Sequence, residues 1–169
     1  MAYSIMYTQF SAADAARITG VSQDEQRDWR KRGFLPPIDG GKAKFDVKLL
    51  AGMLAAKKLQ GLGIAPTTGW ALARSCGAMI YTRIMNRRHG VLDLQELARG
   101  PLVQTSGQSD VMARWAIADD ERTWGYADDA ASLADQIGAA SAVLDLDRLA
   151  RELVQDARRP VASIEPSHG

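Results

Sequence analysis

Five side chains suited to hydrogen bonding with nucleic-acid bases or phosphates fall within one short stretch near the N-terminus. Glutamine and arginine form paired hydrogen bonds with the edges of adenine and guanine, and lysine neutralises phosphate. The five are Gln23, Gln26, Arg27, Arg30 and Lys31. A helix here would carry one large apolar residue, Trp29, so it could not bury an apolar stripe of its own. The alternatives are an ordinary solvated helix and a ligand-binding helix.

Capping signals predict the element that positions these side chains. Ser22 and Glu25 form a capping box, which predicts a helix over residues 23–32. Gly33 is the candidate residue for ending it, and Pro36-Pro37 prevent its continuation. Ser22 itself lies at the start of this helix and joins the set of candidate binding residues.

A second capped helix is predicted directly upstream. Ser11 and Asp14 form its capping box, the helix covers residues 12–19, and Gly20 ends it. Val21 can point into a core between the two helices. Two short helices joined by a glycine-containing turn, the second of them basic, are typical of the helix-turn-helix. An α-helix is about as wide as the major groove of B-DNA, so double-stranded DNA is the predicted partner.

Residues 10–63 resemble the winged helix-turn-helix of the MerR family and its small relatives, the phage excisionases. The family pattern runs roughly A-x-x-x-G-V-S, a few variable residues, then L-R-x-Y-x-x-x-G-L-L. The matching residues are Ala16, Gly20, Val21, Ser22, Arg27, Trp29, Gly33, Phe34 and Leu35. The resemblance implies that Arg27 contacts DNA and that Trp29 packs into the domain core. Gln26 departs from the pattern, which prefers an apolar residue there, so we expect the helix to be rotated or more exposed at Gln26.

A wing is predicted after the second helix. Asp39-Gly40-Gly41 is a turn sequence that permits positive φ, and residues 42–45 are predicted to return as a short strand. Only the final aromatic of the family's wing pattern, Phe45, is kept. Lys42 and Lys44 are predicted to contact phosphates. Asp46 should then cap a helix over about residues 47–60, whose Lys57 and Lys58 we interpret as ordinary solubilising residues.

The rest of the chain predicts helices followed by a small α+β part. A helix is expected from about Thr68 to Arg88, with Pro66 in its first turn, and residues 100–109 should form a linker or loop. Strands over 111–118 and 123–127 form a candidate hairpin. Helices capped near Asp129 and over 146–157, with a strand over 141–144 between them, complete this part. The tail from Arg159 is expected to be loose.

Two nine-residue segments, 91–99 and 143–151, are similar to each other. Each predicts a short strand, an aspartate cap and an amphipathic helix. Because the similarity does not extend beyond them, convergence on a common pattern is favoured over a repeat architecture. A pseudo-symmetric pairing of the two segments is the alternative.

The charge distribution separates the two halves of the chain. Residues 1–100 contain 15 Lys/Arg against 8 Asp/Glu, and residues 101–169 contain 6 against 12, although the whole 169-residue chain is nearly neutral. Such asymmetry indicates one part that faces nucleic acid and one that avoids it, with compositional accident as the alternative. Trp115, Ile117, Trp124 and Tyr126 also suggest an apolar surface. Residues 101–158 are therefore predicted to carry self-association or partner contacts, unless that cluster forms their own core.

Other functional classes find little support in the sequence. It lacks the usual catalytic motifs and metal-ligand spacings, so we predict no catalytic residue, no metal site, no cofactor and no enzymatic activity. The single cysteine, Cys76, lies in an apolar run and is expected to be buried. No signal peptide or run long enough to span a membrane is recognised, which favours the cytoplasm and no membrane partner.

The predicted fold is mainly α with small β. A winged helix-turn-helix (1–65) precedes a helical connector (66–100), an α+β dimerisation or partner domain (101–158) and a flexible tail (159–169). The predicted function is a sequence-specific, DNA-binding transcriptional regulator of bacterial or phage type, acting as a homodimer. The alternatives are an excisionase-like DNA-bending factor and a protein-interaction adaptor built on a helix-turn-helix.

Overall fold

The computed structural model describes residues 3–38, 40–86, 91–93, 114–118, 124–137 and 141–166. The described helices are α1 (Ala12–Thr19), α2 (Gln23–Lys31), α3 (Val47–Gly61), α4 (Pro66–Asn86), α5 (Ala130–Gln136) and α6 (Leu146–Ala157). The described strands are β1 (Tyr3–Tyr7), β2 (Val91–Asp93), β3 (Trp115–Ala118), β4 (Trp124–Ala127), β5 (Ala142–Asp145) and β6 (Ala162–Pro166). The fold is mainly α with small β, as predicted. None of the described helices is long and apolar enough to span a membrane.

Helices α3 and α4 form the centre of the core. A Cβ atom added to Gly77 would lie only 2.6 Å from the Cα of Gly52, so α4 approaches the backbone of α3 too closely at Gly77 for a larger residue there. The apolar residues that recur at helical spacing along α4 are buried, namely Ala73, Cys76, Ile80 and Ile84. Burial raises the pKa of the Cys76 thiol to about 12, which keeps it in the unreactive thiol form.

One three-stranded sheet joins the two ends of the chain. Its order is β1-β6-β2, with β6 antiparallel to β1 and parallel to β2. The expectation of a loose tail from Arg159 is therefore wrong for residues 162–166, which form the central strand. The five residues of β6 carry no sequence signal of their partner, because β1 lies about 160 residues earlier in the chain.

A second sheet has the order β4-β3-β5, all antiparallel. It confirms the predicted hairpin of β3 and β4, whose connecting residues lie outside the described residues. Asp129 caps α5 and Asp145 caps α6, as the spacing predicted. The similar segments beginning at Val91 and Val143 both contain strands, but β2 and β5 lie in different sheets, so they do not pair. The predicted helix after β2 and the loop over 100–109 lie outside the described residues.

The buried core runs continuously from the N-terminal to the C-terminal elements. The apolar side chains of α6, including Leu146, Leu149 and Leu153, belong to the same cluster as those of α1, α3 and α4. Lys58 of α3 forms an ion pair with Glu152 of α6, with 2.5 Å between Nζ and Oε1. Lys57 likewise pairs with Glu25 of α2. Both lysines therefore join helices, and the interpretation of them as ordinary solubilising residues is wrong.

Candidate nucleic-acid interface

The two capping boxes fix the start of each helix in the candidate site. The Ser11 hydroxyl accepts a hydrogen bond from the Asp14 amide at 3.1 Å, and the Ser22 hydroxyl accepts one from the Glu25 amide at 3.2 Å. Between the helices, Gly20 ends α1 at φ 73°, a conformation that favours glycine. Val21 follows it and is completely buried. The turn therefore sets the angle between α1 and α2 through local geometry and one apolar anchor.

The end of α2 forms a Schellman motif. The Gly33 amide donates to the Arg30 carbonyl at 3.0 Å, and the Phe34 amide donates to the Trp29 carbonyl at 2.8 Å. Gly33 adopts φ 77°, so the chain reverses there without steric cost. This reversal directs Leu35 into the core. The helix ends at Lys31, one residue before the predicted end, with Arg32 as its cap.

Helix α2 has one buried face and one exposed face. Trp29 is 3% exposed, and its ring contacts the ring of Trp70 in α4 edge-on, with 5.7 Å between the ring centres. Phe34 stacks on the Trp70 ring, with 5.0 Å between centres. This aromatic group holds the end of α2 against α4. Gln23, Arg27 and Lys31, spaced four residues apart, lie on the exposed face.

Gln26 is the main correction to the predicted site. Its side chain is 2% exposed, and its amide donates to the carbonyls of Ala12 and Val21, both at 3.0 Å. The expectation that α2 is more exposed at this position is wrong, and Gln26 does not lie on the surface available to a ligand. The amide occupies an inward-facing position because two carbonyls of the helix-turn-helix need a donor there. Gln26 therefore joins α1, the turn and α2.

The other cations of the site differ in how they are held. Arg27 is exposed and forms an ion pair with Asp24, one turn earlier on the same face. Arg30 is partly buried; its Nε donates to the Pro36 carbonyl at 3.0 Å, and its guanidinium lies 5.9 Å from the centre of the Phe45 ring. Arg27 is thus free to exchange partners, whereas Arg30 connects α2 to the loop that follows it.

That loop, residues 36–45, borders an open cleft of about 580 Å³ beside the end of α2. Arg30, Lys42 and Lys44 all line the cleft, so three cationic side chains share one concave surface. Lys42 and Lys44 are exposed. Gly40 and Gly41 have positive φ, as the turn sequence predicted, while Asp39 lies outside the described residues.

The predicted strand over residues 42–45 is reduced to a single bridge. Phe45 exchanges two backbone hydrogen bonds with Phe10, at 2.8 and 3.0 Å, and residues 42–44 form no strand. Pro36 and Pro37 explain the difference, because they lack the N–H groups that a hairpin partner would supply. The loop lies where a wing is expected, but it does not form the two-stranded hairpin of a wing.

The structure brings Arg30, Lys42 and Lys44 together at the cleft and places Gln23, Arg27 and Lys31 on the adjacent exposed face. Ser22 is exposed, but its hydroxyl serves as the helix cap. The sequence reasoning missed Asp24 and Asp28, which share the exposed face and pair with Arg27 and Arg32. Their spacings of three and four residues were the available signal.

Glu25 faces inward from the start of α2. Its two carboxylate oxygens accept hydrogen bonds from Lys57 Nζ at 2.6 Å and from the Ser22 amide at 2.8 Å. Burial alone would raise the pKa of Glu25, but the hydrogen bonds from Lys57 and Ser22 outweigh it and hold the pKa below its ordinary value. Glu25 therefore stays charged and ties the start of α2 to α3.

Residues 10–67 match the family model described as the MerR HTH family regulatory protein. The match covers α1, α2, the loop with the cleft and α3, and it agrees with the segment that resembled this family in the sequence. This part of the chain is similar to the helix-turn-helix of the MerR regulatory family, which supports a DNA-binding regulator in general. No curated protein matches the chain.

Proposed function

We propose that the protein is a sequence-specific transcriptional regulator of bacterial or phage type, with α2 as the helix that enters the major groove. One observation carries this proposal: Gln23, Arg27 and Lys31 share an exposed face whose opposite side is anchored by Trp29. Side chains of these types read base edges or bind phosphates. Because the opposite side of α2 is packed against the protein, the helix does not have to become ordered before these side chains can contact DNA.

The cleft supplies the second part of the proposal. Lys42 and Lys44 lie beside the C-terminal end of α2, next to Arg30. Lysines at such a position neutralise phosphates on the strand that flanks the groove, which adds affinity without sequence preference. We assign base recognition to the exposed face of α2 and phosphate contact to Lys42 and Lys44.

The ion pair of Arg27 with Asp24 does not prevent DNA binding. Both side chains are largely exposed, and exposed pairs contribute only about 0.2–1 kcal/mol. A bidentate contact of arginine with guanine is worth about 1–3 kcal/mol of discrimination. Exchange of Asp24 for a base edge is therefore favourable for Arg27.

Two copies of the chain would act together in the cytoplasm under this proposal. A single helix-turn-helix contacts a short half-site, and specific binding usually uses two units spaced by about one turn of DNA. The acidic C-terminal part remains a candidate surface for a protein partner.

The experiment is DNA selection from genomic fragments with the full chain, followed by gel shifts on the selected site. Replacing Arg27 or Arg30 with Ala should weaken specific binding by about 1–3 kcal/mol if the residue reads a base. Arg74→Ala, at an exposed arginine of α4, is the matched control. Unchanged affinity in both folded variants would reject α2 as the recognition helix.

Asp24 and Asp28 favour the alternative of a protein-interaction adaptor, because carboxylates on the same face oppose DNA phosphates. The same experiment separates the two. An adaptor would select no DNA sequence, and its Arg27→Ala and Arg74→Ala variants would behave alike on DNA. An excisionase-like factor would select a site but bend it, which the mobility of fragments with the site at different positions detects.

A further inference from the structure

Among the described strands, β1 lies at the edge of its sheet. It lies at one side of the sheet β1-β6-β2, and among the described residues no strand pairs with its outer edge. Its sequence, Tyr-Ser-Ile-Met-Tyr, contains no charged residue and no proline. Ile5 and Met6 are 45% and 55% exposed. Proteins usually block such edges with lysine, proline or a bulge, so an open edge of this composition indicates a partner strand.

The register shows which backbone groups face outward. Tyr7 lies opposite Ala162, and the next amide, that of Thr8, donates to the Val161 carbonyl at 3.0 Å. Hydrogen-bonded and non-hydrogen-bonded pairs alternate along an antiparallel ladder. Ser4 and Met6 therefore direct their backbone groups towards β6, and Tyr3, Ile5 and Tyr7 direct theirs to the open side.

This arrangement is complementary to itself. If two β1 strands meet antiparallel with Ile5 opposite Ile5, then Tyr3 of each strand lies opposite Tyr7 of the other. Each residue whose backbone N–H and C=O face the open side then lies opposite another such residue, so every N–H has a C=O partner in the second strand. No like charges oppose each other, because the strand has none. A two-fold axis through Ile5 closes the assembly at two copies.

We propose that the protein forms a homodimer by pairing β1 with β1 of a second copy, which joins the two sheets into one. This inference stands apart from the proposed DNA binding, since it rests only on the sheet edge. It also differs from the interface predicted within residues 101–158. Of the apolar cluster that motivated that prediction, Ile117 is 4% exposed, and the Tyr126 hydroxyl lies 2.7 Å from that of Ser75. Both side chains are used within the molecule.

The test uses a cysteine at the two-fold axis of the full chain. Residues opposite each other in a hydrogen-bonded pair have Cα atoms about 5.5 Å apart, which a disulfide can bridge. Ile5→Cys should form a covalent dimer under mild oxidation. Leu62→Cys, at a residue 49% exposed in the loop after α3, is the control and should stay monomeric on a non-reducing gel. The native Cys76 is buried and does not compete.

Charge variants give the second measurement, the mass by light scattering. The wild type should have the mass of a dimer, and Ile5→Lys should have that of a monomer, because two ammonium groups would face each other. Mixing Ile5→Lys with Ile5→Glu should restore the dimer mass. If Ile5→Lys melts earlier than the wild type, the recovery of the dimer mass in the mixture and the Ile5→Cys cross-link decide.

The outcomes separate the competing interfaces. A wild type that is monomeric, or an Ile5→Lys variant that remains a dimer while Ile137→Lys becomes a monomer, would overturn the β1 interface. The second result would return the interface to residues 101–158, since Ile137 is 47% exposed in that part. DNA affinity measured on the same variants is a separate reading, so failure of the dimer does not count against DNA binding.

Discussion

At the scale of single residues, the candidate interface balances cations against carboxylates. Arg27 and Asp24 pair on the exposed face of α2, and Arg32 and Asp28 pair one turn later. In the free protein the two carboxylates pair with the two arginines, but they would repel the phosphates of bound DNA. Recognition on this surface therefore depends on an exchange of partners.

Replacing Asp24 with Asn should increase the affinity for DNA. The change frees Arg27 and removes a negative charge from the surface that faces phosphate, a gain of about 0.2–1 kcal/mol, or up to about fivefold. Gel shifts on the selected site measure it. Asp135→Asn, at an exposed residue of α5, makes the same change in net charge elsewhere. Equal gains in both variants would show that only total charge matters.

Gln26 shows how a residue of the right type can serve another purpose. Glutamine reads adenine, and the spacing placed Gln26 among the candidate binding residues. Its position is instead set by the burial of Val21 and Trp29 on either side, which turns the amide inward towards the carbonyls of Ala12 and Val21. Only the packing of α1 against α2 decides this.

At the scale of elements, the loop over residues 36–45 is expected to act on all DNA sequences alike. Lys42→Ala or Lys44→Ala should weaken binding to specific and unrelated DNA by similar factors. Each change should reduce the slope of log affinity against log salt by about one unit, because one phosphate contact is lost. Titrations at several salt concentrations test this, with Arg74→Ala as the control. A changed base preference would mean that the loop reads sequence.

The connection of α2 to α3 is expected to weaken in acid. The folded pKa of Glu25 lies below its ordinary value of 4.5, so its stabilising contribution is complete above that pH. It is lost as the pH falls through the lower, folded value. Denaturant unfolding at pH about 7 and about 3 should show a smaller loss of stability in Glu25→Gln than in the wild type.

Asp28→Asn is the control for that measurement. Its ion pair with Arg32 involves side chains about half exposed, so the change should leave the acid dependence almost unaltered. If Glu25→Gln and the wild type lose stability in parallel, the pair of Glu25 with Lys57 does not link α2 to α3 energetically.

At the scale of the whole molecule, a buried ion pair connects the basic N-terminal part of the chain (residues 1–100) to the acidic C-terminal part (residues 101–169). Arg83 of α4 is 2% exposed, and its Nη1 lies 3.0 Å from Oδ1 of Asp147 at the start of α6. Arg151 binds the other carboxylate oxygen at 2.8 Å. Because Arg83 is buried, it does not contact DNA, although it lies near the C-terminal end of α4.

Replacing Arg83 with Ala should lower the free energy of unfolding by about 3 kcal/mol, because a buried carboxylate loses its most buried partner. Arg151→Ala, at a side chain 55% exposed, should cost less than about 1 kcal/mol. Thermal or denaturant unfolding of the full chain compares them. Equal effects would mean that Arg83 is not what stabilises Asp147.

The division into a domain of residues 1–65 and later parts stays a prediction, although the core crosses residue 65 without a break. A truncation after Arg99 would remove β6, the central strand between β1 and β2. Surface variants of the full chain are therefore the sharper way to locate the dimer contact.

The sequence by itself determined the local features of this protein. Both capping boxes, the reversal at Gly33, the starts of α3 and α6 and the hairpin of β3 and β4 depend on residues close together in the chain, so their patterns could be read directly. The exposed positions of Arg27 and Lys31 followed from the helix period. The tertiary structure decided the rest: the inward turn of Gln26, the pairing of Arg83 with Asp147, and the sheet that joins β1 to β6. These depend on contacts between residues 14 to about 160 positions apart, for which no local pattern exists, because burial and partner choice are settled only when the elements pack.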